Sequence, residues 1–176
     1  MTRSLEKQIY DTAHLSDTFT LRSGQISNEY FDKYLFEANP GVLHDIAVQL
    51  VSLIPDGTEV LAGLEMGGIP VVTALSLQSG VPVAFVRKKA KEYGTCKLAE
   101  GASISGRRVC VVEDVITTGG QVIMSTQELR EAGAIVEDVI CVIERNPEGR
   151  RKLEEIGVRV HALFKMEELL NARGEG

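Results

Sequence analysis

The run VCVVEDVITTGGQV, Val109 to Val122, carries the densest chemistry in the chain. Four apolar residues lead into adjacent carboxylates, Glu113 and Asp114. Val115 and Ile116 follow, then Thr117, Thr118, Gly119, Gly120 and Gln121. Carboxylates at the end of a buried strand are costly unless paired or hydrogen-bonded. Successive strand side chains point to opposite faces, so Glu113 and Asp114 cannot share a face while the strand stays regular. At least one must leave the pleat toward a crevice, where a carboxylate is a good acceptor for the vicinal hydroxyls of a sugar. The turn beyond suits an anion. Thr117 or Thr118 can cap the following helix, and Gly119 and Gly120 let the backbone approach a bound group. The first helical N–H groups then favour a phosphate. A plain helix cap beside two solvated acids is the other reading, but it gives no reason for two glycines that cost about 1 kcal/mol each relative to alanine. No Gly-Lys-Ser/Thr follows, so this is not a Walker loop.

Cations for an anionic ligand are concentrated in RKKAK, Arg87 to Lys91, at the start of the polar stretch RKKAKEYGTCKLAEGASISG. Connections of that length are usually functional or unstructured. GLEMGGIP offers a second close-approach turn at Gly67-Gly68, which ordinary helix–strand packing also explains.

These groups need a frame. LEKQIYDTAHL reads as a first helix, and FTLRSG with NEYFDKYLF as an antiparallel pair. NPGVLHDIAVQLVSLIP keeps Val42, Ile46, Leu50 and Leu53 at helical spacing. From there strands and helices alternate. The strands are EVLAGL, PVAFVRK, RRVCVVED, VEDVICVIER and VRVHALFK. The helices are GGIPVVTALSLQSG, GQVIMSTQELREAGA, PEGRRKLEEIG and MEELLNA. Near-continuous apolar strands alternating with helices imply an α/β fold: a central, mostly parallel sheet flanked by helices, with right-handed crossovers. In such sheets ligands gather at the carboxyl ends of the strands. AGLEMGGIP, RKKAKEYGTCK, EDVITTGG and ERNPEG all fall at strand ends.

The 176 residues suffice for one domain, 1–176, with a hydrophobic core. The 44% hydrophobic and 25% charged content is ordinary for a globular protein, so no fibrous or disordered class is indicated. No apolar run reaches the roughly 18–20 residues of a membrane span, and the N-terminus lacks a signal-peptide core. A cytoplasmic protein without membrane partners is therefore expected. A net charge of −6 argues against generic nucleic-acid binding. Cys96, Cys110 and Cys141 are scattered, as are His14, His44 and His161, so neither a metal site nor a hydrolytic triad is indicated.

VCVVEDVITTGGQ resembles the thirteen-residue signature of the type I phosphoribosyltransferases, which bind 5-phosphoribosyl 1-diphosphate (PRPP) with magnesium. FTLRSGQISNEYFD, GGIPVVTALSLQSGVPVAFVRKKAKEYGTCKLAEG and VIERNPEG narrow the resemblance to the orotate branch, and together these matches cover most of the chain. The resemblance implies the type I fold with a small N-terminal antiparallel hood. It also implies transfer of the phosphoribosyl group from PRPP to orotate, giving orotidine 5'-monophosphate and pyrophosphate. Glu113 and Asp114 would face the ribose hydroxyls, Thr117 through Gln121 would cradle the 5-phosphate, and Val115 and Ile116 would also contact PRPP. Arg22, Arg87, Lys88, Lys91 and Tyr93 would contact PRPP, with Lys91, Asp114 and Glu113 carrying the catalysis. Tyr30, Phe31, Thr117 and Arg145 would bind orotate. A guanidinium grips a carboxylate through two parallel hydrogen bonds, which suits Arg145 to that substrate; an ion pair with Glu144 or Glu148 is the other reading. Magnesium would be held by PRPP oxygens with no all-protein metal site. The polar stretch would be a lid, shared across a homodimer, that excludes water and adds positive charge as diphosphate leaves.

Two positions depart from the family pattern. Tyr93 stands where many orotate enzymes have a histidine, and with a pKa near 10 a tyrosine is a poor proton carrier at neutral pH. Lid closure and charge would then carry the rate. Gly67 stands where some members have a lysine. A transferase for a purine or other base, and a non-catalytic PRPP-binding regulator, are the competing functions.

Overall fold

The computed structural model describes residues 3–20, 24–89 and 98–174. Helix α1 (Leu5–Ala13) starts at Ser4, whose hydroxyl accepts from the Lys7 amide, and buries Leu5, Ile9 and Ala13 along one face. Strands β1 (His14–Thr20) and β2 (Ile26–Phe31) pair antiparallel as a separate two-stranded sheet, the expected hood. The expected second strand is too long, however. Asp32 accepts from the Tyr34 amide and starts helix α2 (Lys33–Ala38), so DKYLF is helical. Asn39 caps α3 (Pro40–Leu50) by accepting from the Gly41 and Val42 amides, and the chain continues as a 3-10 turn through Leu53.

The main sheet has six strands: β3 (Val60–Leu64), β4 (Val83–Val86), β5 (Ala99–Gly101), β6 (Arg108–Ile116), β7 (Ile135–Glu144) and β8 (Arg159–Lys165). Their spatial order is β5-β4-β3-β6-β7-β8. All neighbours are parallel except β4 with β5. The sequence pattern misses β5, which lies inside the stretch expected to be one long loop. Helices α4 (Gly68–Ser79), α5 (Gly120–Glu131), α6 (Pro147–Glu155) and α7 (Met166–Asn171) complete the chain.

Two apolar layers cover the sheet. Cys110 and Val112 of β6 pack with α1, α3 and α4 through residues such as Ile9, Ile46 and Val72. Val109 and Val111 pack with α5 and α6 through Leu129 and Leu153. Cys110 and Cys141 are buried and free, and burial pushes both thiols up, so they are core residues.

This order creates one reversal. The chain leaves β3 toward β4 on one side and leaves β6 toward β7 on the other. The crevice at such a reversal, outside the strand ends, is where doubly wound sheets bind ligands. Pairing of β3 with β6 stops at Val112, whereas β6 stays paired to β7 as far as Ile116. The crevice therefore opens beside Glu113 and Asp114.

Candidate functional site at the β3–β6 crevice

Glu113 and Asp114 are both buried, Asp114 completely. Val112 and Val115 pack into the same apolar layer although they are three apart, so the two-residue alternation is lost across the acids, as their adjacency requires. Each carboxylate takes the next amide. Asp114 N–H donates to Glu113 Oε1 at 3.0 Å, and Val115 N–H donates to Asp114 Oδ1 at 2.6 Å.

Two residues of α2 that the sequence pattern does not single out complete the cluster. Lys33 Nζ lies 2.6 Å from Asp114 Oδ2, and the buried Glu37 carboxyl faces Asp114. The acids do not share charge equally. Burial and then the negative charge of Asp114 raise Glu113 well above the usual carboxylate range. Burial and the bond to Asp114 push Glu37 up to about 9. Burial works against ionised Asp114 too, but hydrogen bonds from Glu37, Glu113 and Lys33 overcome it and hold Asp114 below its ordinary value. Burial likewise opposes the charge on Lys33, and Asp114 more than compensates, raising it. The cluster is one carboxylate, Asp114, paired with the Lys33 ammonium, beside two acids whose proton affinity is raised, Glu37 up to about 9.

The glycines at 67 and 68 divide the two roles expected of them. A Cβ at Gly68 would meet Val112 O at 2.5 Å, a helix–strand approach. A Cβ at Gly67 would lie 1.7 Å from Asp114 Oδ2, so the missing side chain makes room for the acid itself.

Beyond β6, neither Thr117 nor Thr118 caps α5, contrary to the expectation. The N-cap is Gly119 in the left-handed region, φ 74°, with no side-chain cap. A threonine cap would occupy the first amides of α5, whereas a left-handed glycine leaves them to an external acceptor. They border a cavity of about 110 Å³ lined by Glu113 and by residues 115–122. Gly149 of α6 supports this turn from behind: a Cβ there would meet Thr117 O at 2.5 Å and Ile116 Cγ2 at 2.8 Å. Nothing in the β6 signature points to Gly149; only the ERNPEG strand end hints at it.

Arg145 and Thr117 are brought together, because Glu144 is in register with Ile116 and the Arg145 amide donates to Ile116 O at 2.8 Å. The ion-pair alternative for Arg145 fails. Glu144 is held by Arg150 and Glu148 by Lys152. The Arg145 side chain is exposed and has no ion pair among the described residues.

Arg87 and Lys88 follow β4 at the adjacent strand end. The Lys88 amide donates to Glu65 Oε1 at 2.6 Å and the Arg87 amide to Leu98 O at 3.0 Å. Arg87 and Leu98 are therefore held side by side at this end of the sheet. Arg87 Nε is buried and has no acceptor among the described residues, as an anion-binding guanidinium would. On β2, Tyr30 is 44% exposed and lies 5.4 Å from the Phe19 ring. Phe31 is turned inward against the core, 6.4 Å from Phe36, and is the less available of the two. Arg22, Lys91 and Tyr93 lie outside the described residues.

Residues 36–164 match the phosphoribosyl transferase domain. An orotate phosphoribosyltransferase of Nocardioides sp. is 52% identical over 173 residues, covering 98% of this chain and 97% of the relative. One from Methanocella arvoryzae is 48% identical, covering 86% and 87%. The Mycobacterium tuberculosis H37Rv orotate phosphoribosyltransferase, solved with Fe(III) dicitrate, superposes with a TM-score of 0.86 at 28% identity, covering 94% and 96%. The same enzyme solved with PRPP gives a TM-score of 0.81 at 26% identity, again covering 94% and 96%. The chain belongs to the phosphoribosyl transferase family and, within it, to the orotate phosphoribosyltransferases. These relatives favour neither a purine transferase nor a regulator. No described helix is long and apolar enough to cross a membrane.

Proposed function

We infer that the chain transfers the 5-phosphoribosyl group from PRPP to orotate, in the cytoplasm, as a step of pyrimidine nucleotide synthesis. The observation that carries this reading is the buried pair Glu113 and Asp114, opening beside the uncapped start of α5. Thr117 to Gln121 take the 5-phosphate through main-chain amides. Asp114 and Glu113 take the ribose hydroxyls. Asp114, held below its ordinary value, is the ionised acceptor, and Glu113, raised by burial and by Asp114, is the more readily protonated of the two.

Arg87 and Lys88 hold the diphosphate, joined by Arg22, Lys91 and Tyr93. Magnesium enters with PRPP as part of the substrate, on diphosphate oxygens. Among the described residues no group of three His, Cys, Asp or Glu is arranged to hold a metal ion. Arg145 and Thr117 orient orotate, with Tyr30 and Phe31 along its ring. The orotate ring nitrogen attacks the anomeric carbon and gives up its proton to water or to the departing diphosphate, while the bond to diphosphate breaks and its electron pair leaves with the oxygen. Positive charge developing on the ribose is stabilised by the fixed carboxylate, and negative charge on the leaving group by the cations. The working form is a homodimer in which the stretch containing Lys91 and Tyr93 serves the partner's site.

Orotate consumption followed by absorbance, with PRPP and magnesium, tests the reading. Asp114→Asn should lower the rate by about 100-fold or more. Uracil, hypoxanthine and adenine should give no comparable rate; a purine rate above that with orotate would overturn the assignment. Tyr93→Phe should stay within about tenfold of the parent if charge rather than proton transfer carries the rate, and a thousandfold loss would make the hydroxyl essential. Sedimentation at assay concentration should show a dimer.

A further inference from the structure

Helix α2 presents two groups to Asp114 from one face, since Lys33 and Glu37 are four apart and lie one turn above each other. Asp114 is faced by Lys33 and Glu37 from α2 and by Glu113 from its own strand, with Tyr34 next to Lys33 at 5.2 Å from ring centroid to ammonium. Lys33 is the one cation paired with Asp114 among the described residues. The bare backbone of Gly67 also closes against this carboxylate, leaving no room for a side chain at position 67. Asp114 Oδ1 accepts from the Val115 amide, and Oδ2 sits in an ion pair with Lys33 Nζ at 2.6 Å.

We propose that Lys33 is a positioning residue for the transfer reaction: its ammonium, 2.6 Å from Asp114 Oδ2, keeps that carboxylate ionised and in place beside the β3–β6 crevice. The proposal rests on the reading that Asp114 accepts from the ribose hydroxyls. Without Lys33, Asp114 shares a water-poor site with two other carboxyls, and both burial and like charge favour its protonation. A protonated Asp114 loses acceptor capacity and the charge that opposes the developing cation. Lys33 touches neither ring nor phosphate in this scheme and acts wholly through Asp114.

The test is a double-mutant cycle in the full enzyme, with PRPP, magnesium and orotate, read as kcat and KM across pH. Lys33→Met should lower kcat/KM for PRPP about 100-fold and move the acid limb of the pH profile up by about one unit or more. Lys33→Arg should recover most of the rate. In the Asp114→Asn background, Lys33→Met should add less than about twofold, because the group it serves is gone. That double variant leaves no buried charge unpaired, so it reports even if Lys33→Met alone does not fold. Independent losses that multiply in the cycle would overturn the proposal, as would a folded Lys33→Met enzyme with an unmoved acid limb. If Asp114→Asn itself keeps the parental rate, the reading of Asp114 fails and the role of Lys33 fails with it. An impaired Asp114→Asn beside a normal Lys33→Met removes the role of Lys33 alone.

Discussion

Both arms of the Arg150 guanidinium grip the buried Glu144 carboxylate, Nε to Oε1 at 2.9 Å and Nη2 to Oε2 at 2.7 Å. The third nitrogen, Nη1, donates to Val160 O at 2.7 Å. This clamp ties α6 to β7 and β8 one residue before Arg145. Arg150→Met should leave Glu144 buried without its counter-ion. The cost should be about 2–4 kcal/mol, somewhat below that of a fully buried pair because Arg150 is partly exposed. Urea unfolding measures it. The KM for orotate should rise along with the loss of stability, since the neighbour of Glu144 is the proposed orotate ligand.

Among the described residues the Arg145 side chain has no ion pair or hydrogen-bond partner, so its loss should separate binding from stability. Arg145→Ala should raise the orotate KM by about 10–100-fold, the loss expected for charge-assisted hydrogen bonds of roughly 1.5–3 kcal/mol. The melting temperature and the affinity for PRPP should not move. Calorimetric titration of PRPP and thermal melts distinguish this from general damage.

Gly149→Ala probes the phosphate turn without touching it. The added methyl would press on Thr117 O and on Ile116 Cγ2. The turn has to shift by some tenths of an ångström or more, and misplacement on the scale of 1 Å can cost about 100-fold. A fall of about 10–100-fold in kcat/KM for PRPP is expected, and unchanged kinetics would show that the turn adapts freely.

Glu37 binds a proton in the fold up to about pH 9, where the unfolded chain has already lost it above the ordinary value of 4.5. Between those values the native state holds more protons than the unfolded state, so stability falls as pH rises through the window. The contribution is full below the unfolded value and gone above the folded one. The slope from one such group is at most about 1.4 kcal/mol per pH unit. Glu37→Gln keeps a neutral donor in place and should melt higher than the parent at pH 8–9, with the gap closing toward pH 5. Melting curves at several pH values measure it. An identical pH dependence in both proteins would mean that Glu37 is ionised in the fold.

The sheet and its crevice are legible in the sequence because β3, β6 and β7 are buried on both faces and pass directly into glycine-rich or charged ends. The adjacency of Glu113 and Asp114 likewise announces a break in alternation. Helix α2 is not legible. Six residues are too few to show a helical period, and Tyr34, Leu35 and Phe36 have the composition of a strand. Its start is signalled only by Asp32, and with the helix unseen, Lys33 and Glu37 have no common face. Strand β5 has no apolar pattern of its own and exists through pairing with the edge of β4. The expected threonine cap fails for a local reason, because Gly119 adopts a conformation that a β-branched neighbour would resist.

The cradle at the start of α5 is built from peptide groups, whereas the residues proposed to meet the base are side chains scattered over β2 and the end of β7. Main-chain amides are the same whatever residue carries them, so point changes on the surface of that turn leave its grip on the sugar phosphate nearly intact. On the proposed reading, changes at Tyr30 or Arg145 would alter which nucleobase is accepted without disturbing that grip. Retargeting such an enzyme is therefore a matter of redrawing one wall of the site while the anchor opposite stays put.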